Sequence, residues 1–157
     1  MNTQKRHRYF AVLDPLDTSK MSYWYLPDKG RKKDQLQPWP PLRNKWGSLY
    51  DKDIPEHSRE NVNAEVFRAF LRAYFDRVRT AREEVERIIS EDPGLAAARF
   101  SHLAIRCCYC GKTLTEERSK IYGVGPECRQ GASPDYLARL IEMVKAVYAP
   151  AALSPVR

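Results

Sequence analysis

The four cysteines of this 157-residue chain all lie between residues 107 and 128. Cys107 and Cys110 have the spacing Cys-x-x-Cys and precede Gly111, so one tight turn can direct both sulfurs to a single point. Cys128 follows Gly125-Pro126, a typical helix start, where the helix dipole favours a thiolate. Zn²⁺ prefers thiolate ligands in a tetrahedral arrangement. The sequence therefore predicts one zinc site, with Cys107, Cys110 and Cys128 as ligands.

The spacing leaves the fourth ligand open. In a treble-clef arrangement it would lie three residues after Cys128, where the chain has Gly131. We take His102, five residues before the first ligand, as the candidate. The alternatives are Cys108, His7, His57, an acidic side chain or water. Two other interpretations remain: buried thiols without metal, and a redox dithiol. No strand–helix–strand pattern surrounds the Cys-x-x-Cys pair, which disfavours the redox interpretation.

The motif extends beyond the cysteines. It reads Cys-x-x-Cys-Gly-Lys-x-Leu-Thr, then a Ser, then Gly-Val-Gly-Pro-x-Cys. It resembles a small uncharacterised zinc-knuckle domain family of actinobacteria, their phages and plasmids, also found appended to helicase-like and other DNA-metabolism proteins. The matching positions are Cys107, Cys110, Gly111, Leu114, Ser119, Gly123, Gly125, Pro126 and Cys128. The resemblance implies a zinc cofactor and implies no catalytic residue.

The N-terminal region has the composition of a β-hairpin. Arg8–Leu13 and Met21–Leu26 are rich in aromatic and β-branched residues, and a turn sequence, Asp14–Asp17, separates them. Pro38–Pro41 contains too much proline for a central strand, so we expect an extended arm or sheet edge there. The prediction is an antiparallel hairpin with an aromatic face.

Basic and aromatic residues alternate after this hairpin. The formal net charge of the chain is +7, and the surplus lies in residues 1–61 and 106–157. Rings that stack on bases and cations that contact phosphates are what a single-stranded nucleic acid or RNA surface requires. A small sheet must also bury its aromatic rings, and packing against the core is the commoner case. The candidate residues for binding nucleic acid or another partner are Arg31, Lys32, Lys33, Trp39, Arg43, Lys45 and Trp46.

Three helices are predicted in the second half. From Asn61 or Asn63 to Glu91, apolar residues recur every three to four positions, as in a long amphipathic helix. Asp92 is the expected N-cap of a short helix that leads to the cysteines. Ser133 is the expected start of a last helix that ends at Ala149-Pro150.

These elements predict an α+β fold: a small antiparallel sheet packed on the long helix, then a treble-clef-like zinc knuckle and a closing C-terminal helix. We expect one compact domain built from residues 1–60, 61–91, 92–131 and 132–150. No apolar run is long enough to span a membrane, and the basic N-terminus lacks the apolar core of a secretion signal. A reducing cytoplasm suits a metal-like cysteine cluster better than a disulfide scaffold.

Two function classes lead. The first is a nucleic-acid-binding accessory protein of a phage, plasmid or defence system. The second is a protein–protein adaptor or inhibitor, for example an anti-defence protein, that zinc holds rigid. An enzyme is disfavoured, because the chain lacks the zinc motifs of deaminases and metalloproteases. Only an open fourth metal position keeps a zinc hydrolase in consideration.

Overall fold

The computed structural model of the protein describes residues 6–41, 43–49 and 64–147. Its fold is α+β, as predicted. The strands are β1 (Tyr9–Asp14), β2 (Asp17–Tyr25) and β3 (Gln37–Pro38), in that order across one antiparallel sheet. The helices are α1 (Ala64–Glu91), α2 (Pro93–Ala104), α3 (Glu117–Tyr122), α4 (Pro126–Arg129) and α5 (Pro134–Val147).

The predicted hairpin is present, with β2 beginning at Asp17 rather than Met21. Its turn is stabilised by a hydrogen bond between near neighbours: the Asp14 carboxylate accepts from the Leu16 N–H at 2.9 Å. The short β3 pairs with the end of β2 at Trp24 and Tyr25. The proline-rich arm thus forms a sheet edge, where the missing N–H of proline is tolerated.

The two faces of the hairpin carry different cores, because successive strand residues point to opposite sides. Phe10, Val12 and Trp24 are buried together with Val85 and Ile89 of α1. On the other face, aromatic side chains of the strands pack around a ring of α2. They are Tyr9 and Tyr23, whose ring centroids lie 5.2 and 6.2 Å from that of Phe100. The sheet is therefore covered by one helix on each face.

Helix α1 has 28 residues, which gives a length of about 42 Å. Only its second half is core: Ala81, Val85 and Ile89 are buried, whereas Phe75 is 53% exposed and Val66 is also exposed. In the first half of α1, the hydroxyl of Tyr74 donates to the carbonyls of Gly47 and Ser48 at 3.1 and 2.8 Å.

The outer edge of β1 is covered by the cysteine loop and by helix α2. The backbone N–H groups of Arg8 and Tyr9 donate to the Cys108 carbonyl at 2.9 and 3.1 Å. Farther along the strand, Arg99 of α2 donates to the Ala11 carbonyl at 3.1 Å. An edge strand otherwise presents unpaired backbone groups. The sheet thereby positions the cysteine-bearing loop.

The two predicted helix starts are confirmed by their caps. The Asp92 carboxylate accepts from the Leu95 N–H at 3.0 Å, and the Ser133 hydroxyl accepts from the Tyr136 N–H at 3.2 Å. The predicted end of the last helix, at residues 149–150, lies outside the described residues. None of the described helices has the length and apolar character to cross a membrane.

Candidate metal centre

Cys107 and Cys110 lie in a tight loop between two paired backbone segments. The Leu114 N–H donates to the Ile105 carbonyl, and the Cys107 N–H donates to the Lys112 carbonyl, both at 2.9 Å. Inside this ladder the Gly111 N–H donates back to the Cys107 carbonyl at 2.8 Å. Gly111 has a φ of 77°, a conformation that glycine adopts without a Cβ clash. The turn places both sulfurs on one side, as the Cys-x-x-Cys-Gly pattern predicted.

Cys128 is delivered by the short helix α4, after a turn through two glycines. Gly123 ends α3 with a φ of 72°, and its N–H donates to the Ser119 carbonyl at 2.8 Å. Gly125, the residue before α4, has a φ of −69°. Of these two motif glycines, only Gly123 has a positive φ, whereas Gly125 has ordinary extended backbone.

The three predicted cysteines converge. The Sγ atoms of Cys107, Cys110 and Cys128 all lie within 4.8 Å of one another. A tetrahedral zinc ion with Zn–S bonds of about 2.3 Å holds its sulfurs about 3.8 Å apart, so the group needs only a small contraction to bind one. Cys107 is fully buried, Cys128 is half-buried and Cys110 is exposed. These three residues could hold one metal ion.

The pKa values of the cysteine thiols also suit the binding of a cation. Burial raises the pKa of Cys107, but the backbone N–H groups of Gly125, Cys110 and Tyr109 outweigh it, and the net pKa lies below the usual value. Burial and the neighbouring Cys107 and Cys110 thiolates raise the pKa of Cys128 to about 12. Three thiolates this close repel one another unless a positive ion lies between them. The backbone N–H groups around Cys107 thus favour its thiolate form, the form that binds a metal ion.

The proposed fourth ligand, His102, is not part of this group. It lies in the last turn of α2 and is half-buried. Cys108 points elsewhere as well: its Sγ lies 3.7 Å from Nδ1 of His7, and burial raises its pKa to about 12. His7 therefore contacts Cys108 instead of the three sulfurs. His57 lies outside the described residues.

The carbonyl of Gly123 ties the site together. It accepts from the Ser101 hydroxyl of α2 at 2.6 Å and from the Cys108 N–H at 3.4 Å. The turn before α4, the cysteine loop and α2 therefore meet at one oxygen. The role of Ser101 had no signal in the sequence, because its partner is 22 residues away.

Arg129, directly after Cys128, was also missed. Its Nε donates to the Val124 carbonyl and its terminal nitrogen donates to the Ser119 hydroxyl, each at 2.9 Å. The guanidinium lies over the Tyr122 ring, 5.2 Å from the centroid, and only 12% of the side chain is exposed. Arg129 clamps the turn that delivers Cys128. The one signal in the sequence was Ser119, a position of the motif that Arg129 contacts.

The candidate partner-binding residues divide into two sets. The first set, which we call the basic surface, is exposed and forms no ion pair with another described residue. It consists of Arg31, Lys32, Lys33, Arg43 and Lys45.

The two tryptophans are packed. Trp46 donates its indole N–H to Asp14 at 3.1 Å, and its ring meets the buried Trp24 edge-on at 4.8 Å. Trp39 lies against Phe100, with the centroids 5.2 Å apart. It also lies under the guanidinium of Arg106, 5.4 Å from its centroid. Both tryptophans are half-buried and pack against other aromatic side chains.

Arg106 connects this aromatic cluster to the cysteine loop. While its guanidinium lies over Trp39, it donates to the Gly111 carbonyl at 2.8 Å. The turn between Cys107 and Cys110 is thus held against the sheet by a side chain as well as by backbone.

Comparison with known proteins adds one finding. Searches of curated proteins and of solved structures returned no significant match. Residues 97–133, which carry all three converging cysteines, match the model of DUF6011, a family of unknown function.

Proposed function

We propose that this protein is a zinc-stabilised nucleic-acid-binding protein. The zinc ion would be held by Cys107, Cys110 and Cys128, and the basic surface would contact phosphates. The observation that carries the proposal is the combination of a three-cysteine group with exposed cations that form no ion pair with another described residue.

The metal would be structural. Its three ligands come from two segments, the loop at residues 105–114 and helix α4, so one ion would cross-link them. Soft thiolate ligands select zinc over magnesium or calcium, which prefer oxygen. Because three thiolates donate strongly and leave a net negative centre, such an ion is a weak Lewis acid. We therefore propose no catalytic role.

The basic surface supports binding to a polyanion. Unpaired cations raise the local potential, which attracts phosphates at long range. The resemblance to zinc-knuckle domains of DNA-metabolism proteins favours nucleic acid, and it would place the protein in a phage, plasmid or defence-related context. Since Trp39 and Trp46 are packed, we expect phosphate contacts to contribute more than base stacking.

The test is binding of labelled single-stranded DNA, single-stranded RNA and duplex DNA at several salt concentrations. If five phosphates are contacted on a single strand, affinity should fall about 100-fold between 50 and 200 mM salt, with a logarithmic slope of about −3.5. Reversing Lys32 and Lys33 together to Glu should reduce that slope to about −2. Reversing Arg139 and Lys145, two exposed cations of α5, makes the same change in net charge and should leave binding intact.

A second function, a zinc-stabilised protein–protein adaptor or inhibitor, is favoured by a different observation. Phe75 and Val66 are exposed on the first half of α1. A bulky exposed ring such as that of Phe75 offers apolar area that binding of a partner protein would remove from water. Absence of nucleic-acid binding even at low salt would contradict the first proposal and leave this one.

A further inference from the structure

The three-sulfur group has a buried side and an open side. Cys107 is fully buried, whereas Cys110 is exposed and Cys128 is half-buried. Within the described part of the chain, no fourth histidine, cysteine or carboxylate joins the three sulfurs. Solvent would therefore reach an ion bound there from the side of Cys110.

At the position where a treble clef has its last ligand, this chain has a glycine, which has no side chain. Gly131 lies three residues after Cys128, is exposed and has a φ of 75°. A Cβ built on it would meet no atom within 4 Å. The chain thus leaves room where a fourth protein ligand would otherwise enter.

One cation borders this open side. Lys112, two residues after Cys110, forms an ion pair with Glu127, the residue before Cys128, at 3.3 Å. Both side chains are largely exposed, and exposed ion pairs of this kind are weak and easily exchanged. An ion with three thiolate ligands has one net negative charge, and Lys112, whose charge interacts with Cys110 and Cys128, would favour a further anionic ligand over a neutral one.

We propose that the fourth metal position is supplied from outside the chain, by a thiolate. The proposal rests on the metal binding proposed above and adds its coordination chemistry. The incoming thiol binds as its thiolate through a new metal–sulfur bond, displaces solvent and releases its proton to water. No oxidation takes place.

The test uses the protein loaded with Co²⁺, whose visible and near-ultraviolet spectrum reports the number of thiolate ligands. Adding 2-mercaptoethanol should increase the sulfur-to-cobalt charge-transfer absorption in a saturable way, and removing the thiol should reverse it. Lys112→Ala should raise the half-saturating thiol concentration several-fold. Lys120→Ala, an exposed lysine of α3, is the matched control and should not change it.

Two sources of thiolate are separated by a second comparison. Tighter binding of glutathione than of an uncharged cysteine-containing peptide supports a free cellular thiol as the ligand. Tighter binding of the peptide supports a cysteine of a partner protein.

The inference is overturned if the cobalt spectrum does not respond to thiol and if His57→Ala, His102→Ala or Glu127→Gln alters it, because the chain then supplies its own fourth ligand. A spectrum that responds neither to thiol nor to these substitutions also overturns it. A protein that binds no cobalt or zinc at all contradicts the metal site itself, which is a different result.

Discussion

At the scale of single residues, the two glycines before α4 have different reasons to be there. Gly123 has a positive φ, and a Cβ on it would lie 2.9 Å from Cβ of Ser101. Gly125 has a negative φ, and its nearest neighbours would be 3.9 and 4.0 Å away, in ordinary contact. Gly123→Ala should therefore cost about 2 kcal/mol or more of unfolding free energy.

Gly125→Ala is the control and should change the unfolding free energy by less than about 0.5 kcal/mol. Urea denaturation of the two zinc-loaded variants measures both. Equal destabilisation would mean that close packing around α4, and not backbone conformation, determines the need for glycine.

His7 gives a pH dependence. Its ring stacks on Tyr109 with centroids 4.9 Å apart, and burial lowers its pKa below the ordinary value of 6.5. Below about pH 6.5 the unfolded chain binds a proton that the folded protein does not, so stability should decrease as the pH falls, by at most about 1.4 kcal/mol per pH unit. Above that pH the histidine is neutral in both states and contributes no slope.

His7→Phe keeps an aromatic ring against Tyr109 and removes the titrating group. The difference in unfolding free energy between the parent and this variant should vary with pH between about 5.5 and 6.5 and be constant above about 7. A constant difference over the whole range would mean that His7 titrates in the folded protein as it does in water.

At the scale of elements, α1 combines a buried half and an exposed half. Val85 is fully buried between the sheet and the other helices, whereas Phe75 is 53% exposed. Val85→Ala should cost about 2 kcal/mol of unfolding free energy because it leaves a cavity, and Phe75→Ala should cost less than about 1 kcal/mol although it removes more atoms. Thermal and urea unfolding measure both. A larger loss at Phe75 would show that its ring is covered in the folded protein.

At the scale of the whole molecule, the metal would join two segments, the cysteine loop and α4, that only the tertiary structure brings together. The cysteine loop covers the edge of β1, and the turn before α4 is held to α2 through the Gly123 carbonyl. Cys110→Ser should therefore lose the zinc and several kcal/mol of stability. Cys108→Ala should retain one zinc per chain, because its sulfur contacts His7. Elemental analysis and melting temperature, with and without chelator, measure this. Full stability of the parent in chelator would contradict a structural metal.

The sequence by itself determined the features that depend on near neighbours. The Cys-x-x-Cys-Gly turn, the Asp92 and Ser133 caps, the hairpin and the position of the long helix all follow from residues a few positions apart, whose hydrogen bonds form in the local backbone. The convergence of Cys128 with the other two sulfurs could be predicted from the sequence because thiolates at that spacing can bind a single zinc ion.

Only the tertiary structure decided the contacts between distant segments. Arg99 reaches Ala11 across 88 residues and Cys108 meets His7 across 101, because the free edge of β1 must be covered and α2 and the cysteine loop are the segments that cover it. The packing of Trp39 and Trp46 also depends on distant residues. The sequence around them suited either a binding surface or a core, and the fold brings Phe100, Arg106 and Asp14 into contact with the two side chains. A local sequence pattern shows which side chains are apolar or charged. Which residues they contact depends on which surfaces the folded chain must remove from water.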